Sequence, residues 1–139
     1  MYGYLVQDWI TIRGSSLQLS PPTVTQSEAD WMSFQPYQDI VFWLEVKSWT
    51  PGGLTSVTLD YETAPAKDES LFVKMVTTTA ITAAVSRRDK VLLAQITAAS
   101  ADVPLSRWVR WKLTWNGTST AEYGVCFRIF ASANAVGAL

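Results

Sequence analysis

The amino-acid sequence predicts an all-β fold: a two-sheet antiparallel sandwich of about eight strands with jelly-roll connectivity. Three observations carry that expectation. Among 139 residues there are 13 Val, 6 Ile and 15 Thr, and aromatic residues add another 12%, so strand formers dominate. Apolar and polar side chains alternate with a period of two in four long runs. Gly, Pro and Asn punctuate those runs at short intervals, and no long amphipathic helical pattern interrupts them. An immunoglobulin-like sandwich is the alternative connectivity.

Taken in order, the first strand is expected at Leu5–Ile12, with short strands at Leu17–Leu19 and Val24–Gln26. The stretch Ser15 to Pro36 is rich in Ser, Thr, Pro and Gln and reads as an ordered arm or long loop. Within it, Ser27 to Phe34 can form one helical turn with Ser27 as its N-cap. Residues 1–36 therefore form an N-terminal strand and arm of the same domain, and residues 37–139 a sandwich core with a short C-terminal tail. Ile40, Phe42, Leu44 and Val46 alternate with Val41, Trp43, Glu45 and Lys47, and Pro51-Gly52-Gly53 ends that run. Val57, Leu59 and Tyr61 then alternate with Thr58, Asp60 and Glu62, so the two runs are expected to form a hairpin. Shorter strands are expected at Leu71–Val76, Ile81–Val85 and Val91–Thr97, with Arg87-Arg88-Asp89-Lys90 as a charged turn.

The strongest pattern lies near the C-terminus. Val109, Trp111, Leu113 and Trp115 alternate with Trp108, Arg110, Lys112 and Thr114. After Asn116-Gly117, Tyr123, Val125, Phe127 and Ile129 alternate with Glu122, Gly124, Cys126 and Arg128. These runs are expected as a second hairpin with one solvated face and one core face. Asn116-Gly117-Thr118 matches a glycosylation acceptor but reads better as a turn, because Asn and Gly tolerate positive φ. The alternation places Phe42, Leu44, Leu59, Trp111, Leu113, Val125 and Phe127 in the core.

Composition bounds the function. At 15.4 kDa the chain can bury about two-thirds of its extended surface, enough for one core without staples. There are 11 Lys+Arg against 12 Asp+Glu, which argues against a generally basic nucleic-acid binder. No histidine occurs, so every mechanism and metal site that needs an imidazole is excluded. One cysteine, Cys126, excludes an intrachain disulfide and a four-cysteine zinc site. The longest apolar stretches between charges, Met75–Ser86 and Val91–Ala101, fall far below the ~20 residues that a membrane span needs. Met1-Tyr2-Gly3-Tyr4 does not open a signal peptide, so synthesis in the cytoplasm is expected. The nearest carboxylate pairs, Asp60 with Glu62 and Asp68 with Glu69, read as a solvated strand face and a loop. No enzyme, cofactor or metal is therefore expected.

Seven tryptophans are the unusual feature. Trp111 and Trp115 fall on a core face. Trp43, Trp49 and Trp108 share faces with charged side chains, and Arg110 and Lys112 flank Trp108 two and four residues on. Together they form a candidate contact set, because aromatic side chains and arginine anchor protein interfaces. The alternatives are tryptophans packed under a loop and charges on an ordinary solvated face. Trp9 and Trp31 are candidates to anchor the N-terminal segment to this domain or to a neighbouring subunit. The arm Met1 to Pro36 and the uncharged tail Ala131 to Leu139 are the segments that can reach such a neighbour.

Val57-Thr58-Leu59-Asp60-Tyr61-Glu62-Thr63-Ala64-Pro65 is followed by Asp68-Glu69-Ser70-Leu71-Phe72. Later come Leu105-Ser106-Arg107-Trp108-Val109-Arg110-Trp111 and Val125-Cys126-Phe127-Arg128-Ile129-Phe130. This pattern, over roughly residues 40 to 131, resembles small jelly-roll decoration (cement) proteins of tailed bacteriophage capsids. The resemblance implies a structural virion protein on the capsid exterior, with the major capsid protein as partner. It implies a homo-oligomer, dimer or trimer, on the particle, and neither nucleic acid nor membrane as partner. A carbohydrate-binding or host-adhesion module is the alternative. The presence of only two asparagines, Asn116 and Asn134, favours the structural reading.

Overall fold

In the computed structural model, residues 2–15, 19–91 and 103–135 are described. Among these residues nine strands form: β1 (Tyr2–Gly14), β2 (Val24–Thr25), β3 (Met32–Ser33), β4 (Asp39–Thr50), β5 (Ser56–Ala64), β6 (Val73–Thr77), β7 (Ser86–Val91), β8 (Trp108–Asn116) and β9 (Tyr123–Asn134). They pair antiparallel in two sheets, one ordered β1-β9-β4-β7 and the other β2-β8-β5-β6, with β3 also on β8. Six of the eight connections cross from one sheet to the other. That strand order is a jelly roll.

Each expected core position is buried: Phe42, Leu44, Leu59, Trp111, Leu113, Val125 and Phe127 are all closed to solvent. Aromatic pairs join the layers. Phe42 of β4 stacks on Tyr61 of β5 at 3.9 Å between ring centroids and 4° between planes. Trp111 of β8 meets Phe127 of β9 edge to face at 5.2 Å. At the end of the sandwich Trp115 packs on Tyr123 at 4.8 Å and on Trp49 at 6.3 Å. Such contacts add to the burial of large apolar side chains that drives the layers together.

The two expected hairpins do not form. β4 and β5 lie in opposite sheets, and so do β8 and β9; the pairs that form are β4 with β9 and β5 with β8. Pro51-Gly52-Gly53 and Asn116-Gly117 are therefore arches between layers. Each arch completes the other: the amides of Thr120 and Ala121 donate to Gly52 O at 2.8 and 3.1 Å, and Thr55 N donates to Asn116 O at 2.8 Å. Gly52 has φ 54°, and a Cβ there would stand 2.4 Å from Glu122 O. Turn chemistry is the same for an arch and a hairpin, and alternation toward one core is the same for both.

Other local expectations shift as well. Arg87-Arg88-Asp89-Lys90 is the middle of edge strand β7 rather than a turn. Of Ile81–Val85, Ile81 alone makes a bridge, to Val57. Ser27–Phe34 contains a single 3-10 turn at Glu28–Asp30, and the Ser27 side chain does not cap it. Leu17–Leu19, Val91–Thr97 and the end of the tail lie partly or wholly outside the described residues. Residues 2–14 pair with β9, and Ala131–Asn134 pair with both β1 and β4. These residues are sheet, not projecting arm or tail: Ala131–Asn134 are paired on both sides, and β1 is an edge strand paired on one side with β9.

Candidate interaction face

The outer face of the β1-β9-β4-β7 sheet is built by strand parity. In β9, Ile129 and Ala131 point into the core, which turns Arg128, Phe130 and Ser132 outward. In β4, Phe42 and Leu44 point in and Trp43 and Glu45 point out. The register then sets Leu5 opposite Phe130, Phe130 opposite Trp43, and Trp43 opposite Arg88. One row thus crosses all four strands: Leu5, Phe130, Trp43, Arg88. Its three apolar members keep 44%, 38% and 43% of their surface exposed.

Cations lie over these rings. Arg88 lies 5.6 Å from the Trp43 ring, and Arg128 lies 4.9 Å from Phe130 and 4.7 Å from Trp9. Lys47 stands 5.7 Å from the Trp9 ring. The Trp43 indole N–H donates to Ser132 Oγ at 2.6 Å, which fixes the ring's orientation. Glu45 accepts from Arg128 at 2.7 and 2.8 Å, so this carboxylate is matched within the face. Beside the row a shallow groove of about 790 Å³ runs over Gly3 and Ser132, flanked by Leu5, Phe130, Trp43 and Arg88. No atom lies within 4 Å of where a Gly3 Cβ would be, so that end of the groove is open.

The other expected contact residues lie elsewhere. Trp9 and Trp43 are exposed on this face. Trp108 and Lys112 are half-buried on the outer face of the second sheet, where Lys67 and Arg107 lie 5.2 and 5.6 Å from the Trp108 ring. Arg110, expected at a contact face, is buried at 6% exposure, which corrects its placement; Trp31 is buried at 8% and packs against this domain, the first of its two expected anchoring sites. Arg110 donates to Glu62 at 2.8 Å and lies 4.1 Å from the Phe72 ring and 5.0 Å from Trp31. The segments before β3 and before β6 fold over that face and carry the two rings. Glu62 is thus an ion-pair partner, not part of a solvated carboxylate pair, while Asp60 accepts from the Thr77 hydroxyl at 2.6 Å.

Trp49 is also corrected. A bulge between Val46 and Ser48 adds one residue to β4 relative to β9, so Trp49 comes to lie opposite core-facing Val125. One extra residue swaps the two faces of a strand. Sequence reasoning missed Leu5, Phe130, Arg128 and Arg88 as members of the face. For Phe130 and Arg128 the signal was available, since both share the parity opposite Phe127 and Ile129.

Gln26 was equally unforeseen. Its buried amide donates to Val6 O at 2.8 Å and accepts from Trp111 N at 3.3 Å, while its backbone carbonyl accepts from Trp31 Nε1 at 2.8 Å. It ties β1 to β8 across the flank of the sandwich.

Among the described residues, no group of three or more Cys, Asp or Glu side chains could hold a metal ion, and no helix is long and apolar enough to cross a membrane. No family model matches the chain, and no curated protein matches it. Among solved structures, a chain of the Triatoma virus empty capsid is similar, with a TM-score of 0.46 and 11% identity over 96% of this chain and 87% of that chain. The jelly-roll assignment rests on the strand order itself.

Proposed function

We propose that this protein is a structural, non-enzymatic virion component: a decoration (cement) protein that sits on the outside of an icosahedral bacteriophage shell and clamps neighbouring capsid subunits. The observation that carries this reading is the row Leu5–Phe130–Trp43–Arg88 across the outer face of the first sheet. Aromatic side chains beside arginine are the composition of interface centres, and a rigid four-stranded sheet presents them with little ordering left to do. Trp9, Trp43 and Phe130 together offer about 200–300 Å² of ring surface. That is modest for one contact, and many copies on a symmetric particle compensate by avidity. The sequence resemblance to capsid decoration proteins supports the same reading.

The test is composition and geometry of the particle. Mass spectrometry of purified icosahedral particles from cells that carry this gene should find the chain at a fixed ratio to the shell subunit. A cryo-electron microscopy map should place it outside the shell with the Trp43 face against the lattice. Absence from such particles, or strong binding to a glycan array, would refute the reading; the second result would favour a carbohydrate-binding or adhesion module.

A further inference from the structure

We infer that the groove beside Trp43 takes an extended, acidic segment of a protein partner in which acidic and apolar residues alternate. This inference rests on the protein–protein reading of the face given above and names the chemistry of the partner. Charge is the first argument. On the outer face Glu45 is already matched by Arg128, and on β7 Asp89 turns toward the interior while Arg88 and Lys90 turn out. Neither Arg88 nor Lys90 makes an ion pair among the described residues. On the β7 side the groove is lined by Arg88, a cation without an ion pair, and Lys90 stands exposed two residues further along the strand; the opposite side is Leu5 and Phe130 with Trp43 between.

Spacing is the second argument. Arg88 and Lys90 are two residues apart on one strand face, roughly 7 Å, which is also the spacing of alternate side chains in any extended segment. A segment laid along β4 directs one set of side chains toward β7 and the other toward Phe130 and Leu5. Carboxylates at positions i and i+2 then face Arg88 and Lys90, and apolar side chains at i+1 and i+3 rest on the rings. Arginine suits such a site because its planar fork pairs with a carboxylate through two parallel bonds.

The polar inventory speaks against a sugar in the same groove. The Trp43 N–H is donated to Ser132, and Glu45 Oε2 accepts both bonds from Arg128. A sugar ring stacked on Trp43 would find few side-chain partners for its hydroxyls, whereas an extended peptide needs only charge and apolar contact from side chains.

The experiment uses the full chain and synthetic peptides as probes: an eight-residue peptide alternating Asp and Leu, a block peptide of four Asp then four Leu, and an alternating Lys–Leu peptide. Binding is read by tryptophan fluorescence and by calorimetry, with circular dichroism confirming that variants are folded. The alternating acidic peptide should bind, and the block and basic peptides at least about tenfold more weakly. Arg88→Glu, Lys90→Glu and Trp43→Ala should each weaken binding by about tenfold or more, and raising salt from about 50 to 500 mM should weaken it further. Equal binding of the block peptide, or binding indifferent to Arg88→Glu and Lys90→Glu, would overturn the inference. So would an acidic oligosaccharide that binds with the same dependence on Trp43 and Arg88, or a self-association that Trp43→Ala abolishes, since a second copy would then own the groove. The particle assay separates the two claims. A chain that stays on particles after Arg88→Glu and Lys90→Glu removes the groove and leaves the virion role, while peptide binding by a chain absent from particles does the reverse.

Discussion

Replacing Arg110 with Ala probes the second sheet's outer layer, where this side chain is the least exposed charged one among the described residues. Its guanidinium lies 2.8 Å from Glu62 and against the rings of Phe72 and Trp31, with 6% of the residue exposed. The truncation leaves the Glu62 carboxylate buried without its cation, a loss of about 3–5 kcal/mol. The two ring contacts add about 1 kcal/mol more, so the expected total is about 4–6 kcal/mol. Urea denaturation followed by tryptophan fluorescence measures it, with linear extrapolation to water. Removing both charges at once isolates the cause: Arg110→Met with Glu62→Leu should lie within about 1–2 kcal/mol of the parent, because the desolvation penalty goes with the pair. A loss under about 1.5 kcal/mol for Arg110→Ala, or no recovery in the double variant, would refute the argument that this pair is buried and that the Trp31 and Phe72 segments cover it.

Three further outcomes follow from the same geometry. Trp111→Ala should lose about 3–5 kcal/mol in the same denaturation assay, because the ring fills the space against Phe127 and its N–H is bonded to Gln7. Gly52→Ala should lose about 2–3 kcal/mol, since the new Cβ meets Glu122 O in the facing arch and φ is positive. Asp89→Asn should raise the melting temperature at neutral pH: burial lifts the Asp89 carboxyl above its ordinary range, with Arg87 opposing the shift. The stability contributed by protonated Asp89 is full below about pH 4 and is lost as pH rises through the raised value, so the gap between variant and parent should open above about pH 4 and be widest near neutrality. A gap that closes as pH rises would reverse the sign and refute the assignment.

What was legible in the sequence was parity. Ile40, Phe42 and Leu44, or Val109, Trp111 and Leu113, declare a core face because each strand touches one core and water alternately. Pairing was not legible, and Gly52 and Gly117 explain why. A glycine at positive φ turns the chain whether the next strand returns beside the last one or crosses to the other layer. The choice is made by the second arch, through the bonds from Thr120 and Ala121 to Gly52 O, and those residues are about seventy positions away. Trp49 was misplaced for a similarly non-local reason, since a single extra residue in β4 exists only relative to β9.

The same logic separates the two aromatic–arginine clusters. Arg110 with Trp31 and Phe72, and Arg128 with Trp9 and Phe130, are alike in composition, and each pairs its arginine with a glutamate from a neighbouring strand. They differ in what lies above them. Over Arg110 the chain folds back in two short turns and closes the cluster, so its energy goes into holding the domain together. Over Arg128 the described chain adds no such cover, and Trp9, Phe130 and Trp43 remain more than a third exposed. A stabilising cluster loses most of its value when it stays wet, because exposed charge pairs and rings contribute little in water. Leaving three rings and Leu5 open on a rigid sheet is therefore poor use of apolar surface for an isolated domain, and good use for one whose outer face is completed by a partner.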